Sequence, residues 1–173
     1  MADIASEPSR WGKYAWITVP ALMVTGSASG WLSGSGAGNP WYAALIKPFF
    51  MPPGWAFGLV WPILYALLGL ALAMILALPP SPERRTALIL FFAQFALNLA
   101  WSPLFFALHA IEPAKYVIML MALVAALAAR IFWRLSRVAG MLLIPYLAWL
   151  VFAATLNSAI HKLNPGAGSA LLG

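Results

Sequence analysis

The sequence has no cysteine and very few charged residues. Without cysteine the chain has no disulfides, no thiolate metal ligands and no cysteine nucleophile. Charged residues make up 8% of its 173 residues and hydrophobic residues 64%, whereas soluble proteins carry about 25% charged and about 45–50% apolar residues. Because a soluble domain of this length cannot bury so much apolar surface, we predict an all-α membrane protein whose solvent is the lipid bilayer.

Ionisable side chains are also absent from the interiors of the predicted membrane segments. Ion-coupled transporters and proton relays usually place such groups inside the membrane, so these classes are disfavoured. The two histidines, His109 and His161, lie at opposite helix ends, and the sequence contains no zinc-protease, phosphate-binding-loop or serine-hydrolase motif. We therefore predict no metal site, no catalytic residue and no required cofactor.

The hydrophobic residues form five segments of about 20 residues, the length that crosses a bilayer. They predict a five-transmembrane-helix bundle that forms one domain over residues 14–161. A polar segment (1–13) precedes the first span, a long loop (33–55) follows it, and a short tail (162–173) ends the chain. The predicted spans are 14–32, 56–78, 87–108, 114–133 and 138–160.

The first span has an alternative interpretation as a secretory signal peptide. Arg10 and Lys13 precede an apolar run, and small residues follow it at positions 27–29. Trp16 and Pro20 are unusual in the apolar core of a signal peptide. The membrane span is therefore the preferred interpretation.

The ten basic residues are distributed unevenly between the two predicted sides of the membrane. Seven fall on the side of the N-terminus and three on the other side. Cytoplasmic loops are enriched in Lys and Arg, so we expect the N-terminus inside and the C-terminus outside. This bias accounts for the net charge of +6 without nucleic acid as a partner. The alanine-rich, arginine-biased composition points to a bacterial membrane.

Residues 41–53 form an unusual aromatic segment on the predicted outer side. Lys47 is its only charge, and Pro48, Pro52 and Pro53 remove three backbone donors and fix φ at each position. Such a segment is stiff. We predict that it forms a lid over the outer end of the bundle and limits ligand exchange.

Aromatic and amide side chains recur at helical spacing within the predicted spans. One face of each of three spans carries them: Trp61 and Tyr65; Gln94, Asn98 and Trp101; Tyr146, Trp149, Ala153 and Asn157. In one interpretation the amides only join helices, through hydrogen bonds worth about 0.6–2 kcal/mol each. In the other, these faces line a pocket for a large planar ligand. Prolines within four spans (Pro20, Pro62, Pro103 and Pro145) favour bent helices that leave a cavity.

Three stretches resemble one known family. WYAALIKPFFMPPGWAFGLVWPILY, QFALNLAWSPLFF and LLIPYLAWLVFAATLN are similar to the TspO/MBR family of translocator proteins, once called peripheral-type benzodiazepine receptors. The resemblance extends from about Trp41 to Asn164. It implies a fold of five transmembrane helices and a homodimer.

The resemblance also implies ligands. These are porphyrins such as protoporphyrin IX, isoquinoline carboxamide and benzodiazepine drugs and, in animals, cholesterol. The implied ligand-binding residues are Tyr42, Trp61, Tyr65, Asn98, Trp101, Tyr146, Trp149, Ala153 and Leu156. The sequence departs from the family at Phe49-Phe50, where a Trp is frequent, and at residues 156–162, which lack the Tyr of the animal sterol motif.

Three functions remain open at this point. The first is a receptor or carrier of tetrapyrroles, which needs only a pocket and a lid. The second is light- and oxygen-dependent breakdown of a bound porphyrin, in which the excited ligand and nearby indoles would supply the chemistry. The third is a structural partner that associates through a helix face, for which Ala93, Ala96 and Ala100 are candidates.

Overall fold

A computed structural model describes residues 8–168 of the chain, with side chains from residue 11. Within these residues every regular element is helical. The predicted N-terminal segment and C-terminal tail extend into residues 1–7 and 169–173, which lie outside the described residues. The elements are α1 (Pro8–Leu32), α2 (Pro40–Ala44), α3 (Gly54–Leu76), α4 (Pro82–Ser102), a π-helical turn (Pro103–Ala107), α5 (Ile111–Leu135), α6 (Arg137–Leu142) and α7 (Ile144–Leu163).

Three helices begin at prolines that the sequence prediction had placed in polar or loop segments. α1 begins at Pro8 rather than at residue 14, and α4 begins at Pro82 rather than at residue 87. A proline suits the first turn of a helix, where its missing N–H would have no partner. The Ser81 hydroxyl caps α4 by accepting from the Arg84 N–H at 3.1 Å. The prediction missed these turns because it started each span at its first apolar run.

The third such helix, α2, lies within the predicted loop 33–55. The Asn39 side-chain oxygen caps it by accepting from the Tyr42 N–H at 3.1 Å, and Pro40 occupies its first turn. The last predicted span is divided in two, with Leu143 between α6 and α7. Pro145 lies in the first turn of α7, so the helix restarts where that proline would have interrupted it.

Pro103 changes the helix around it. It begins the π-helical turn, in which the Leu108 N–H donates to the Pro103 carbonyl at 2.9 Å. A proline cannot donate to the carbonyl four residues earlier, which here belongs to Leu99. The Ser29 hydroxyl of α1 donates to this carbonyl at 2.7 Å. The proline therefore creates an acceptor that joins α4 to α1.

Four helical segments are long and apolar enough to cross a membrane: Gly54–Leu76, Pro82–Ala107, Ile111–Leu135 and Arg137–Leu163. The chain is therefore an integral, multi-pass membrane protein. α1 is not among the four because glycine, serine and threonine lower the hydropathy of its second half. The count of five spans, with residues 14–32 as the first, stays a prediction.

α1 packs closely against α3 at Gly69. The Thr18 hydroxyl donates to the Gly69 carbonyl at 2.7 Å. A Cβ added at Gly69 would lie 2.6 Å from the Val19 Cα, so only glycine allows the two backbones to approach this closely. This contact places α1 along the cavity described below.

We expect Gly69→Ala to lower the free energy of unfolding by about 1–3 kcal/mol, because the added methyl group overlaps the α1 backbone. Thermal unfolding in detergent measures the effect. Gly58→Ala is the matched control on the same helix, since its Cβ would meet no atom within 4 Å. Equal melting temperatures for the two variants would contradict the packing argument.

Candidate functional site

A cavity of about 470 Å³ lies between the helices, with walls from α1, α3, α4, α5 and α7 and the loop 33–53 at one end. Eight of the nine predicted ligand-binding residues line it. They are Tyr42, Trp61, Tyr65, Asn98, Trp101, Trp149, Ala153 and Leu156. The structure thus brings together residues from the loop and from three helices that are far apart in the sequence.

Tyr146 is the exception among the nine, because it is not part of the cavity wall. Its side chain is fully buried and does not line the cavity. The Tyr146 hydroxyl accepts from Asn98 Nδ2 at 3.2 Å and donates to Gln94 Oε1 at 2.7 Å. Tyr146 therefore lies behind Asn98, where its phenol pairs with two amides in an otherwise apolar core.

These contacts belong to a chain of hydrogen bonds that links four side chains. The donor of each bond is known, so the bonds can be followed in one direction. The Tyr65 hydroxyl donates to Asn98 Oδ1 at 2.9 Å, so Asn98 presents its amide N–H to Tyr146. The Tyr146 proton is then directed to Gln94. The buried Gln94 Nε2 has no partner. The chain joins α3, α4 and α7 and holds the Asn98 side chain in one orientation at the cavity wall.

The indoles of Trp61, Trp101 and Trp149 form much of the aromatic wall of the cavity. The N–H groups of Trp101 and Trp149 differ in their hydrogen bonding. Trp101 Nε1 donates to Asn157 Oδ1 at 3.2 Å. Trp61 stacks on Tyr65 with ring centroids 5.5 Å apart and meets Trp149 edge-on at 6.3 Å. Trp149 Nε1 is buried without a hydrogen-bond partner. The Trp149 N–H is therefore a buried donor that no described residue satisfies.

Side chains at the loop end of the molecule fasten the lid of residues 41–53 and its flanking residues. Asn164, at the end of α7, accepts from the Ile46 N–H at 2.7 Å and donates to the Ile46 carbonyl at 2.8 Å. Trp41 stacks on His109 with centroids 4.2 Å apart and donates to the Ala167 carbonyl at 3.1 Å. His109 has a positive φ of 54°.

Lys47 is the single charged side chain among the residues that line the cavity. Its ammonium donates to the carbonyls of Tyr42, Ala43 and Leu45 at 2.9–3.2 Å, which gives the last turn of α2 a cation. Burial raises the pKa of the Tyr42 phenol, so this group stays neutral. The loop end of the cavity thus carries one positive charge.

Sequence reasoning missed two groups of residues at the site. Gly26, Ser27 and Gly30 of α1 line the cavity, although no pattern in the sequence connected these small residues with a ligand. A Cβ at Gly26 would overlap the Tyr65 ring, so this glycine makes room for a cavity residue. Asn164 and His109, which hold the lid, had no pattern that could connect them to residues 41–46.

Comparisons with known proteins identify similar chains. The sequence model of the TspO/MBR family matches residues 16–163. The chain is 38% identical over 156 residues to the translocator protein of Sus scrofa, covering 87% of this chain and 92% of that protein. It is 34% identical over 127 residues to protein CrtK of Rhodobacter capsulatus (73% and 79%). It is 35% identical over 148 residues to the tryptophan-rich protein TspO of Archaeoglobus fulgidus (85% and 94%).

We expect Tyr146→Phe to lower the free energy of unfolding by about 1–3 kcal/mol, because it removes the partner of the buried Asn98 Nδ2 and of the buried Gln94 Oε1. Chemical unfolding in detergent, followed by circular dichroism, measures the change. Tyr116→Phe is the control, since Tyr116 is exposed and its hydroxyl contacts only Glu112, at 3.3 Å. A Tyr146→Phe protein as stable as this control would show that the hydrogen-bond chain contributes little to the stability of the protein.

Proposed function

The chain belongs to the TspO/MBR family, and from this premise we propose that it is a membrane receptor or carrier that binds porphyrins of the protoporphyrin IX type between its helices. Other planar hydrophobic ligands, such as isoquinoline carboxamides and benzodiazepines, would use the same cavity. The ligand would then be transported or sensed. The observation that supports this proposal most directly is the aromatic cavity between the helices, which Trp61, Trp101 and Trp149 line.

The dimensions and chemistry of the cavity suit such a ligand. Its volume of about 470 Å³ falls within the range of about 300–1,000 Å³ typical of small-molecule pockets. Flat indole and phenol rings offer stacking surfaces to a planar macrocycle. The polar groups are few, as expected for a site that selects by shape and by a small number of hydrogen bonds.

The polar groups also suggest how a ligand would be oriented. The unpaired Trp149 N–H would donate to an acceptor on the ligand. The Lys47 ammonium at the loop end would attract an acidic substituent, since among the described residues it contacts backbone carbonyls and the Tyr42 ring and no carboxylate. A porphyrin that carries carboxylates on one edge would therefore place that edge towards the lid.

The arrangement in the membrane is part of the same proposal. We infer that α1 supplies a fifth span, because it packs along α3 and lines the cavity. The basic bias then places the N-terminus inside and the lid outside, in a bacterial membrane. A homodimer is supported by Ala93, Ala96 and Ala100, whose side chains lie on the exposed face of α4 and would let a second copy approach closely.

A fluorescence titration with protoporphyrin IX in the dark tests the proposed site. We expect tryptophan quenching to saturate in the purified, detergent-solubilised protein. We expect Ala153→Phe to raise Kd by about tenfold or more, a loss of roughly 1.4 kcal/mol, because Ala153 lines the cavity and a phenyl ring would occupy it. Circular dichroism confirms that each variant is folded.

Val151→Phe is the matched control, because Val151 lies on the same helix with 60% of its surface exposed and does not line the cavity. Its Kd should equal that of the wild-type protein. Quenching that never saturates, or that is the same in all three proteins, would mean that the porphyrin only partitions into the micelle. That result would contradict binding in this cavity.

A further inference from the structure

A second hollow lies next to the cavity, on the lipid-facing side of the seam between α3 and α7. Apolar side chains line this groove, among them Ile63 and Leu67 of α3 and Ala148 and Phe152 of α7. Trp149 is the one residue that lines both the groove and the cavity. A single side chain thus contributes to both hollows and lies between the cavity and the bilayer.

The seam that Trp149 closes has no hydrogen bond across it within residues 54–163. By contrast, Tyr65 bonds α3 to α4, and Asn98 bonds α4 to α7. Thr18 bonds α1 to α3, and Ser29 bonds α1 to α4. Asn157 of α7 bonds to the Ile111 carbonyl of α5.

Ring contacts close this seam instead. Trp149 meets Phe57 and Trp61 of α3 edge-on, with centroids 5.7 and 6.3 Å apart. Contacts of this kind can be remade after a ring rotates. A rotation of Trp149 would also break no hydrogen bond of its indole, because Trp149 Nε1 has no partner.

The loop end of the cavity is held more firmly than the seam. Two hydrogen bonds join Ile46 to Asn164, and another joins Trp41 to the Ala167 carbonyl. Asn39 adds a bond to the Phe106 carbonyl at 3.3 Å. Opening the lid would break all of these, whereas opening the seam would only displace apolar and aromatic side chains.

We propose that the seam between α3 and α7 is a lateral portal, that the groove outside it is an access site for a planar apolar ligand dissolved in the bilayer, and that Trp149 is the movable wall between groove and cavity. This inference rests on the proposed function, since it assumes that the ligand ends in the cavity. The planar ring system of a ligand that enters this way stays within hydrocarbon and aromatic surroundings throughout. The lid remains closed during exchange.

Stopped-flow measurement of protoporphyrin IX exchange in lipid nanodiscs tests the portal with variants that change the groove. Ala148→Phe fills the groove and should slow both association and dissociation by about tenfold, with Kd changed by less than about threefold. Phe152→Ala enlarges the groove and removes a ring 5.5 Å from Trp149, so it should speed both rates. The Ala148 and Val151 side chains are both exposed, so larger residues are accommodated at either position.

Val151→Phe is the control, because it adds the same ring to α7 outside the groove and should leave both rates at the wild-type values. Equal rates for Ala148→Phe and Val151→Phe, with saturable binding in both, would overturn the portal and leave the cavity as the binding site. Ile63→Phe, which narrows the groove from α3, repeats the test independently of α7. If the wild-type protein shows no saturable binding, the proposed function fails and the portal fails with it.

Discussion

Buried polar side chains in the middle of the bundle must find partners inside the protein, and this constraint determines how the cavity is built. The bilayer interior offers no water to pair with an amide or a phenol. Tyr65, Asn98, Tyr146 and Gln94 bond to one another in a directed chain that joins three helices and leaves Gln94 Nε2 without a partner among the described residues. The cavity wall is therefore held by the same bonds that hold the helices together. The two interpretations of the amides in the sequence, as links between helices and as cavity residues, both describe Asn98.

Prolines and small residues determine how the helices pack around this hydrogen-bond chain. Pro103 removes one helical hydrogen bond, and Ser29 of α1 bonds to the carbonyl that it leaves free. Gly69 lets α1 approach α3, and Gly26 makes room for the Tyr65 ring. As a result α1 forms one wall of the cavity. Hydrogen bonds fasten the lid at the loop end, while apolar and aromatic contacts, with no hydrogen bond between residues 54–76 and 144–163, close the α3–α7 seam.

Helical spacing and the family resemblance predicted much of the site, because residues at i, i+3, i+4 and i+7 share a face in any straight helix. Tyr146 was predicted among the cavity residues but lies behind the wall, because spacing does not say how deep a side chain lies and its phenol pairs in the core. The pairing of Asn164 with Ile46 spans 118 residues, so no local pattern could reveal it. The helix starts at Pro8 and Pro82 were missed because the hydrophobic runs begin later than the capping turns.

A crystal structure of the protein with protoporphyrin IX bound tests the central claim most directly. The account predicts electron density for the macrocycle in the cavity, against the Trp61 and Trp149 rings and beside Ala153, with the Tyr65–Asn98–Tyr146–Gln94 hydrogen bonds unchanged. Density for the porphyrin only on the lipid-facing surface, with the cavity filled by side chains or water, would contradict it.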